Sequence, residues 1–374
     1  MARNPVQIAS RLAGAFCIAI ATLGEASAQE GEQRLLFDEE GNVDVSNLLA
    51  RGGFIPIPII ITEPAVDNGL GIVAYFVGKP PADSDQPLTR TIVGGAVTGN
   101  GSKGAGFMRT GAIGDGRILY NVAFGTGLAV LDFYPGNRNF ALTYNNDITF
   151  AGVRARYRFG DSGFSAGPVV TYRQNEIALD AGDHSPRLEA FAGHEIDLPS
   201  IGFNLHFDNR NNPFTPTNGL NVVGEAQLFD EAFGSDADFT STSLFGAWFG
   251  SRDDWTLGVM ANLEYTSDES PFFMEPDIDL RGVERNRYRG DRLLSGELEL
   301  RRQFSQRWGA LAFVGYGRTF GDGDADADAV SYGGGIRYRI AEKLGLDLGV
   351  DIGVGPDDEI LYLQFGHAWG RRMD

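Results

Sequence analysis

Arginines are the residues in this chain whose spacing most suggests a task. Five of them (281, 285, 287, 289 and 292) crowd into the twelve residues from Arg281 to Arg292, in a chain whose formal charge is −19. A guanidinium offers five donors in a rigid fork and does no covalent chemistry, so the cluster is suited to gripping carboxylates or phosphates. The other chemical candidates carry less. Asp322, Asp324, Asp326 and Asp328 alternate as oxygen ligands do in a calcium loop, but the glycine and closing glutamate of such a loop are missing, so 322–328 reads as an acidic external loop. Gly99, Gly101 and Gly104 have dinucleotide-fingerprint spacing, yet no helical pattern follows them, and they read as a hairpin turn. Arg289-Gly290-Asp291 spells an adhesion tripeptide but lies inside the basic stretch. His184, His194, His206 and His367 are dispersed, with no spacing that would make a triad or a metal site, so no catalytic machinery, metal or cofactor is expected. The acidic balance argues against nucleic acid as a partner.

The elements that position the arginines are strands. From Phe54 onward the hydrophobic period is two. Leu344, Leu346, Leu348, Val350, Ile352 and Val354 share one face, with Gly345, Asp347, Gly349, Asp351 and Gly353 on the other. Val153, Ala155, Tyr157 and Phe159 oppose Arg154, Arg156 and Arg158 in the same way, and Leu298 and Leu300 oppose Glu297, Glu299 and Arg301. The pattern implies one apolar face and one face of charge and glycine. A soluble β-sandwich would also alternate, but these runs exceed the ~5–6 residues usual in soluble sheets. They match the ~9–11 of a tilted membrane strand. With 51 Gly, 26 Phe and 12 Tyr spread along it, the chain reads as all-β: a 16-stranded antiparallel transmembrane β-barrel whose sixth external loop folds into the lumen. The first strand is expected at 55–62 and the last at 359–369. Short turns such as Gly160–Gly163 alternate with longer connections such as 180–193, 267–291 and 321–328, the pattern of periplasmic turns and external loops.

The N-terminus reads as a secretory signal peptide over 1–28. Arg3 and Arg11 precede the apolar Leu12–Leu23, and Ala26-Ser27-Ala28 supplies small residues for cleavage. That run is too short for a spanning helix, which needs ~20 residues. Phe16 before Cys17 argues against lipidation, and cleavage would remove the lone cysteine and any disulfide with it. Residues 29–53 read as a short periplasmic segment, a tether or plug near the barrel mouth. Residues 54–369 read as the barrel and 370–374 as a tail. A bacterial outer-membrane location follows, since only a closed barrel lets strands cross lipid.

Three separated motifs resemble those of BamA/TamA-type barrels, the bacterial surface antigen type. Arg281-Gly282-Val283 is similar to that family's Arg-Gly-aromatic signature in the sixth external loop. Asp208-Asn209-Arg210 with Pro216-Thr217-Asn218-Gly219 is similar to its Asp-x-Arg…Pro-Thr-x-Gly periplasmic turn, and Gly53–Pro58 with Ile61–Ala65 to the barrel entry of members lacking POTRA modules. The resemblance implies that Arg281 reaches into the lumen and pairs with inward acids, with Glu297 as its partner and Phe313 as the matching aromatic on strand thirteen. Gly315 stands where an aspartate is common, which would leave Glu297 or Glu299 to hold the arginine, and Val283 replaces the usual aromatic residue. No POTRA or lipase-like module is expected within residues 29–53. Phe365 and Trp369 read as the C-terminal strand signal that, by resemblance, the barrel-assembly machinery recognises, with Trp369 anchored at the membrane interface. Implied partners are outer-membrane lipid and lipopolysaccharide, that machinery during biogenesis, and a second copy of the chain. The implied function is non-enzymatic insertion or translocation of protein or lipid. A passive diffusion channel and a surface-exposed structural antigen are the alternatives.

Overall fold

A computed structural model describes residues 37–38, 40–47, 54–78, 89–137, 139–179, 193–321 and 326–372. The signal peptide, most of the 29–53 segment, residues 322–325 of the acidic loop and the end of the 370–374 tail lie outside the described residues. The strands are β1 (Phe54–Ile61), β2 (Gly69–Val77), β3 (Arg90–Thr98), β4 (Lys103–Ile113), β5 (Ile118–Phe133), β6 (Leu142–Arg158), β7 (Phe164–Leu179), β8 (in two pieces, Glu195–Asp197 and Ser200–Asp208), β9 (Gly219–Phe229), β10 (Phe239–Arg252), β11 (Trp255–Thr266), β12 (Arg292–Gln303), β13 (Trp308–Phe320), β14 (Ala327–Ala341), β15 (Leu346–Val354) and β16 (Glu359–Phe365). Each pairs antiparallel with its neighbours in chain order, and both pieces of β8 pair with β7. The Gly99–Ser102 stretch is the turn between β3 and β4, as its glycines suggested.

The barrel is nearly closed. Among the described residues no ladder joins β1 to β16; Thr62 Oγ1 donates to the Leu361 carbonyl across the gap. β1 pairs with β2 through all eight residues, Pro56 and Pro58 included. A proline at a hydrogen-bonded position would break that ladder, so the nitrogens of both prolines face the free edge.

Sidedness follows the alternation. Leu257, Leu263, Leu294, Leu298 and Leu300 are 41–49% exposed, whereas Glu297, Glu299 and Asp351 are 2% exposed or less. Aliphatic side chains outside and carboxylates inside is the inverse of a soluble sandwich and the arrangement a lipid solvent demands. Phe159, Phe164, Trp255, Phe304 and Trp308 stand exposed beside the short turns, and Tyr172, Tyr265, Tyr316 and Tyr332 stand nearer the opposite rim. These are two aromatic belts.

Three expectations need correction. The inner face is not uniformly charge and glycine. On β5–β10, Phe133, Tyr144, Ile177, Phe229 and Phe239 point inward and pack with Phe272 and Phe273 of the β11–β12 loop, because apolar loop residues withdrawn from water need apolar neighbours. The last strand ends at Phe365, not 369. Gly366 still donates its N–H to Asp347 O in register, but its φ of +75 turns the chain out of the ladder there. Trp369 therefore does not anchor at the interface; it is buried (5% exposed) and its ring packs, tilted, against Phe249 on the inward side.

Residues 37–38 and 40–47 pack on the short-turn end. Asp38 and Asp44 both pair with Arg307, Val45 N–H donates to Ile340 O, and Ser46 Oγ accepts from Lys343 N–H.

Candidate functional site

The site is built around Arg281 in the long β11–β12 connection. That connection is ordered by its own hairpin: Asp277 bridges Arg289, and Ile278 N–H donates to Tyr288 O. Val283 N–H donates to Leu280 O, closing a tight turn that projects the arginine. Gly282 makes the turn possible. Its φ is +94, and a Cβ there would sit 2.8 Å from the Gly353 carbonyl carbon, so only glycine permits the loop to lie flat on β15. Gly282 N–H donates to the Tyr362 hydroxyl on β16.

Three carboxylates from two strands meet the guanidinium. Arg281 Nε and Nη2 donate to Glu297 Oε1, Nη2 also to Glu299 Oε2 at 2.7 Å, and Nη1 to Asp351 Oδ2 at 2.8 Å. The guanidinium lies 3.7 Å above the Phe313 ring, a cation–π contact in a dry setting. Each carboxylate has a second cation or donor. Arg337 on β14 holds Asp351, Arg301 and His367 hold Glu299, and Trp369 Nε1 donates to Glu297 at 2.8 Å. Three arginines and three carboxylates give a balanced cluster, which makes this much buried charge tolerable.

The structure brings Arg281, Gly282, Glu297 and Phe313 together. Val283 is buried beside Leu280 and Ile278 in the apolar cluster flanking the arginine. Glu297 or Glu299 alone does not hold the arginine: both do, with Asp351 as the third member. Gly315 explains this. A Cβ there would meet Leu280 at 3.3 Å, so the position an inward aspartate would need is taken by loop packing, and β15 supplies the acid from across the interior. Alternation had placed Asp351 inward, and the vacancy at 315 was the signal that another acid was required. His367, Trp369, Tyr362 and Arg372 were not foreseen as members; Arg372 pairs with Asp279 of the loop and Glu264 of β11.

The remaining loop arginines are also engaged. Arg285 pairs with Asp277 and Asp279, and its N–H donates to Glu63. Burial pushes the Asp279 carboxyl up, but Arg285 and Arg372 outweigh it and hold it well below the usual range. Arg287 lies over the Tyr134 ring and donates to Asn139, and Arg289 donates to the carbonyls of Phe272 and Glu275. Tyr288 donates its hydroxyl to Asp357. Glu284 differs from these. Burial, then Asp358, Glu63 and Asp132 nearby, push its carboxyl up to about 7.

The Asp208…Gly219 motif forms a separate self-bonded turn at the short-turn end. Asp208 accepts from Arg210 Nε at 2.8 Å and Nη2 at 2.7 Å, and Asn211 bonds Thr217 and Asn218. Gly219 lies over the Arg210 backbone, and Pro216 completes the turn. Asn212 donates to Leu344 O, and Phe214 lies against Gly366, so the turn abuts the point where β16 leaves the sheet. Phe365 is 38% exposed on the outer face. Among the described residues, interior ion pairs outside the arginine cluster include Arg154–Glu225 and Arg339–Asp347, with Arg156 bonded to His206. Among the described residues no group of His, Cys, Asp and Glu converges as a metal site. What this arrangement can do is non-covalent: it fixes a loop and the C-terminal residues to one wall of the barrel.

Comparison with known proteins agrees with this geometry. Residues 115–368 match the family model described as the Omp85 superfamily domain. No curated protein matches the chain in sequence. Among solved structures, it is similar to BamA from Haemophilus ducreyi lacking POTRA domains 1–3, at 11% identity and TM-score 0.56, with 91% of this chain and 81% of that one covered. It is also similar to CdiB from Escherichia coli (12% identity, TM-score 0.59, 83% of this chain covered) and CdiB from Acinetobacter baumannii (11%, 0.55, 84%). It spans 61% and 59% of those two chains.

Proposed function

Since this chain belongs to the Omp85 superfamily of non-enzymatic outer-membrane barrels, a family involved in protein insertion and translocation, we propose that it inserts or translocates protein or lipid at the outer membrane. The observation that carries this reading is the seam: β1 and β16 are neighbours without a ladder, and Pro56 and Pro58 strip donors from the free edge. In this reading the β11–β12 loop lies folded into the lumen, locked by Arg281, and lends the wall β11–β15 the stiffness that the seam lacks. The short turns, with residues 37–38 and 40–47, face the periplasm. Lipid and lipopolysaccharide surround the belt, the barrel-assembly machinery receives the chain through its C-terminal strand, and a second copy is a candidate neighbour. In-cell cross-linking followed by mass spectrometry tests the partners. Depletion of the protein, with profiling of outer-membrane proteins and lipids, tests the function: selective loss of a set of either supports it, and unchanged profiles refute it.

A passive channel is the second reading, favoured by the half-buried inner faces of β2–β4. Planar-bilayer conductance separates the two. A steady pore that Arg281→Ala leaves unchanged favours the channel. A small flickering one that enlarges in Arg281→Ala favours the locked barrel.

A further inference from the structure

The interior has two unlike walls. On β11–β15 the inward positions carry the charges and loop contacts described above and are mostly buried. Carried through the register, the inward positions of β1–β4 include Ile57, Ile59, Val73, Ile92, Gly94 and Gly106. Among the described residues of those strands Arg90 is the only inward charge. These side chains are not packed away: Ile59 is 37% exposed, and Ile57, Val73 and Ile92 are half-buried. Apolar side chains lining a water-filled lumen would be unfavourable.

The position of this wall says what covers it. It begins at β1, the edge of the unsealed seam, so the lipid-facing surface (Leu70 and Ile72, 66% and 60% exposed) runs round that edge into the interior without crossing a ladder. A polypeptide strand adding to β1 would find two donors missing at Pro56 and Pro58, whereas a hydrocarbon chain needs none. Paired glycines such as Gly94 and Gly106 leave the wall smooth beside those side chains.

We propose that the inner face of β1–β4 is a lipid-chain groove, filled by an acyl chain of a membrane lipid that enters through the β1–β16 seam. This rests on the barrel lying in a membrane as read above, but not on the protein having a client.

The test uses the full chain carrying Cys17→Ser in phospholipid vesicles, with single introduced cysteines carrying a bimane fluorophore. Val73→Cys and Ile92→Cys report the inner wall, and Ile72→Cys, facing outward, reports correct insertion. A second set carries Thr62→Cys and Leu361→Cys, oxidised to a disulfide that closes the seam before labelling. Phospholipid with brominated acyl chains, introduced after the lock is made, quenches by contact, and aqueous iodide reports water. The expected result is lipid quenching at Val73→Cys and Ile92→Cys matching that at Ile72→Cys, lost at the two inner sites when the seam is locked. Iodide quenching at the inner sites, or lipid quenching that survives the lock, overturns the proposal. Loss of quenching at Ile72→Cys would instead refute the membrane reading itself.

Discussion

Replacing Arg281 with alanine removes one of three cations from a cluster in which Glu297, Glu299 and Asp351 are 2% exposed or less. Breaking a buried pair from one side costs about 3–5 kcal/mol. The protein has an escape, which is to protonate one carboxylate. From an ordinary value of ~4.3, neutralising a glutamate at pH 7 costs about 4 kcal/mol, at 1.36 kcal/mol per unit. The two routes converge, so Arg281→Ala should lose about 4 kcal/mol at pH 7. Protonation becomes cheaper in acid, so the same variant at pH 5 should lose only about 1 kcal/mol. Arg281→Lys keeps the charge but cannot bridge β12 to β15, and should fall between the two. Urea unfolding in vesicles, read by heat-modifiable gel mobility, measures the barrel. Limited trypsin digestion at Arg285–Arg292 measures loop release. A double-mutant cycle with Asp351→Asn should give a coupling of at least about 1 kcal/mol, since the two side chains are bonded at 2.8 Å. The reasoning fails if Arg281→Ala stays within about 0.5 kcal/mol of wild type with the loop still protected. It also fails if its effect is the same at pH 5 and pH 7.

Four further outcomes are expected. Gly282→Ala forces a Cβ to within 2.8 Å of the β15 backbone at φ +94 and should release the loop at a cost of about 2–3 kcal/mol, seen by the same digestion. Glu284 has a raised carboxyl, at about 7, so its contribution to loop docking is full below pH ~4.5 and lost as pH rises through 7. The upper bound is about 3 kcal/mol, and partial solvation should reduce it to 1–2 kcal/mol; Glu284→Gln should flatten the pH dependence of trypsin protection between pH 5 and 8, and a slope left intact refutes the assignment. Replacing Pro56 and Pro58 with valine restores two donors at the free edge, so hydrogen exchange at the seam should slow, and unchanged exchange would show that the prolines do not keep it open. Trp369→Phe keeps an aromatic ring but removes the donor to Glu297 and should cost about 1–3 kcal/mol in urea unfolding, whereas an interface anchor would tolerate the change.

Much of the fold was legible because lipid leaves a strand little freedom. With side chains alternating faces, Leu298 and Leu300 could not be outside unless Glu297 and Glu299 were inside, and strand count and turn lengths followed from the same period. The pairing of Arg281 with Glu297 was anticipated from a motif resemblance rather than from the period. The end of β16 was misplaced because alternation continues through His367 and Trp369 as a pattern of residue types, while the backbone departs at Gly366. Periodicity records which side chains could share a face; it does not record where a left-handed residue ends the ladder.

By itself, the sequence determined which residues meet lipid, how many times the chain crosses, and that the arginine loop would need acids. Only the tertiary structure added Asp351 to the acids anticipated on β12. Asp351 lies 70 residues from Arg281 in the chain, and the two meet only because barrel curvature brings β15 round to the loop that Gly282 and Gly315 allow to settle there. It also decided that β1 and β16 stay apart and that an apolar inner wall begins at their edge. Local pattern is set within a strand, whereas closure, and the company each inward side chain keeps, depends on all sixteen at once.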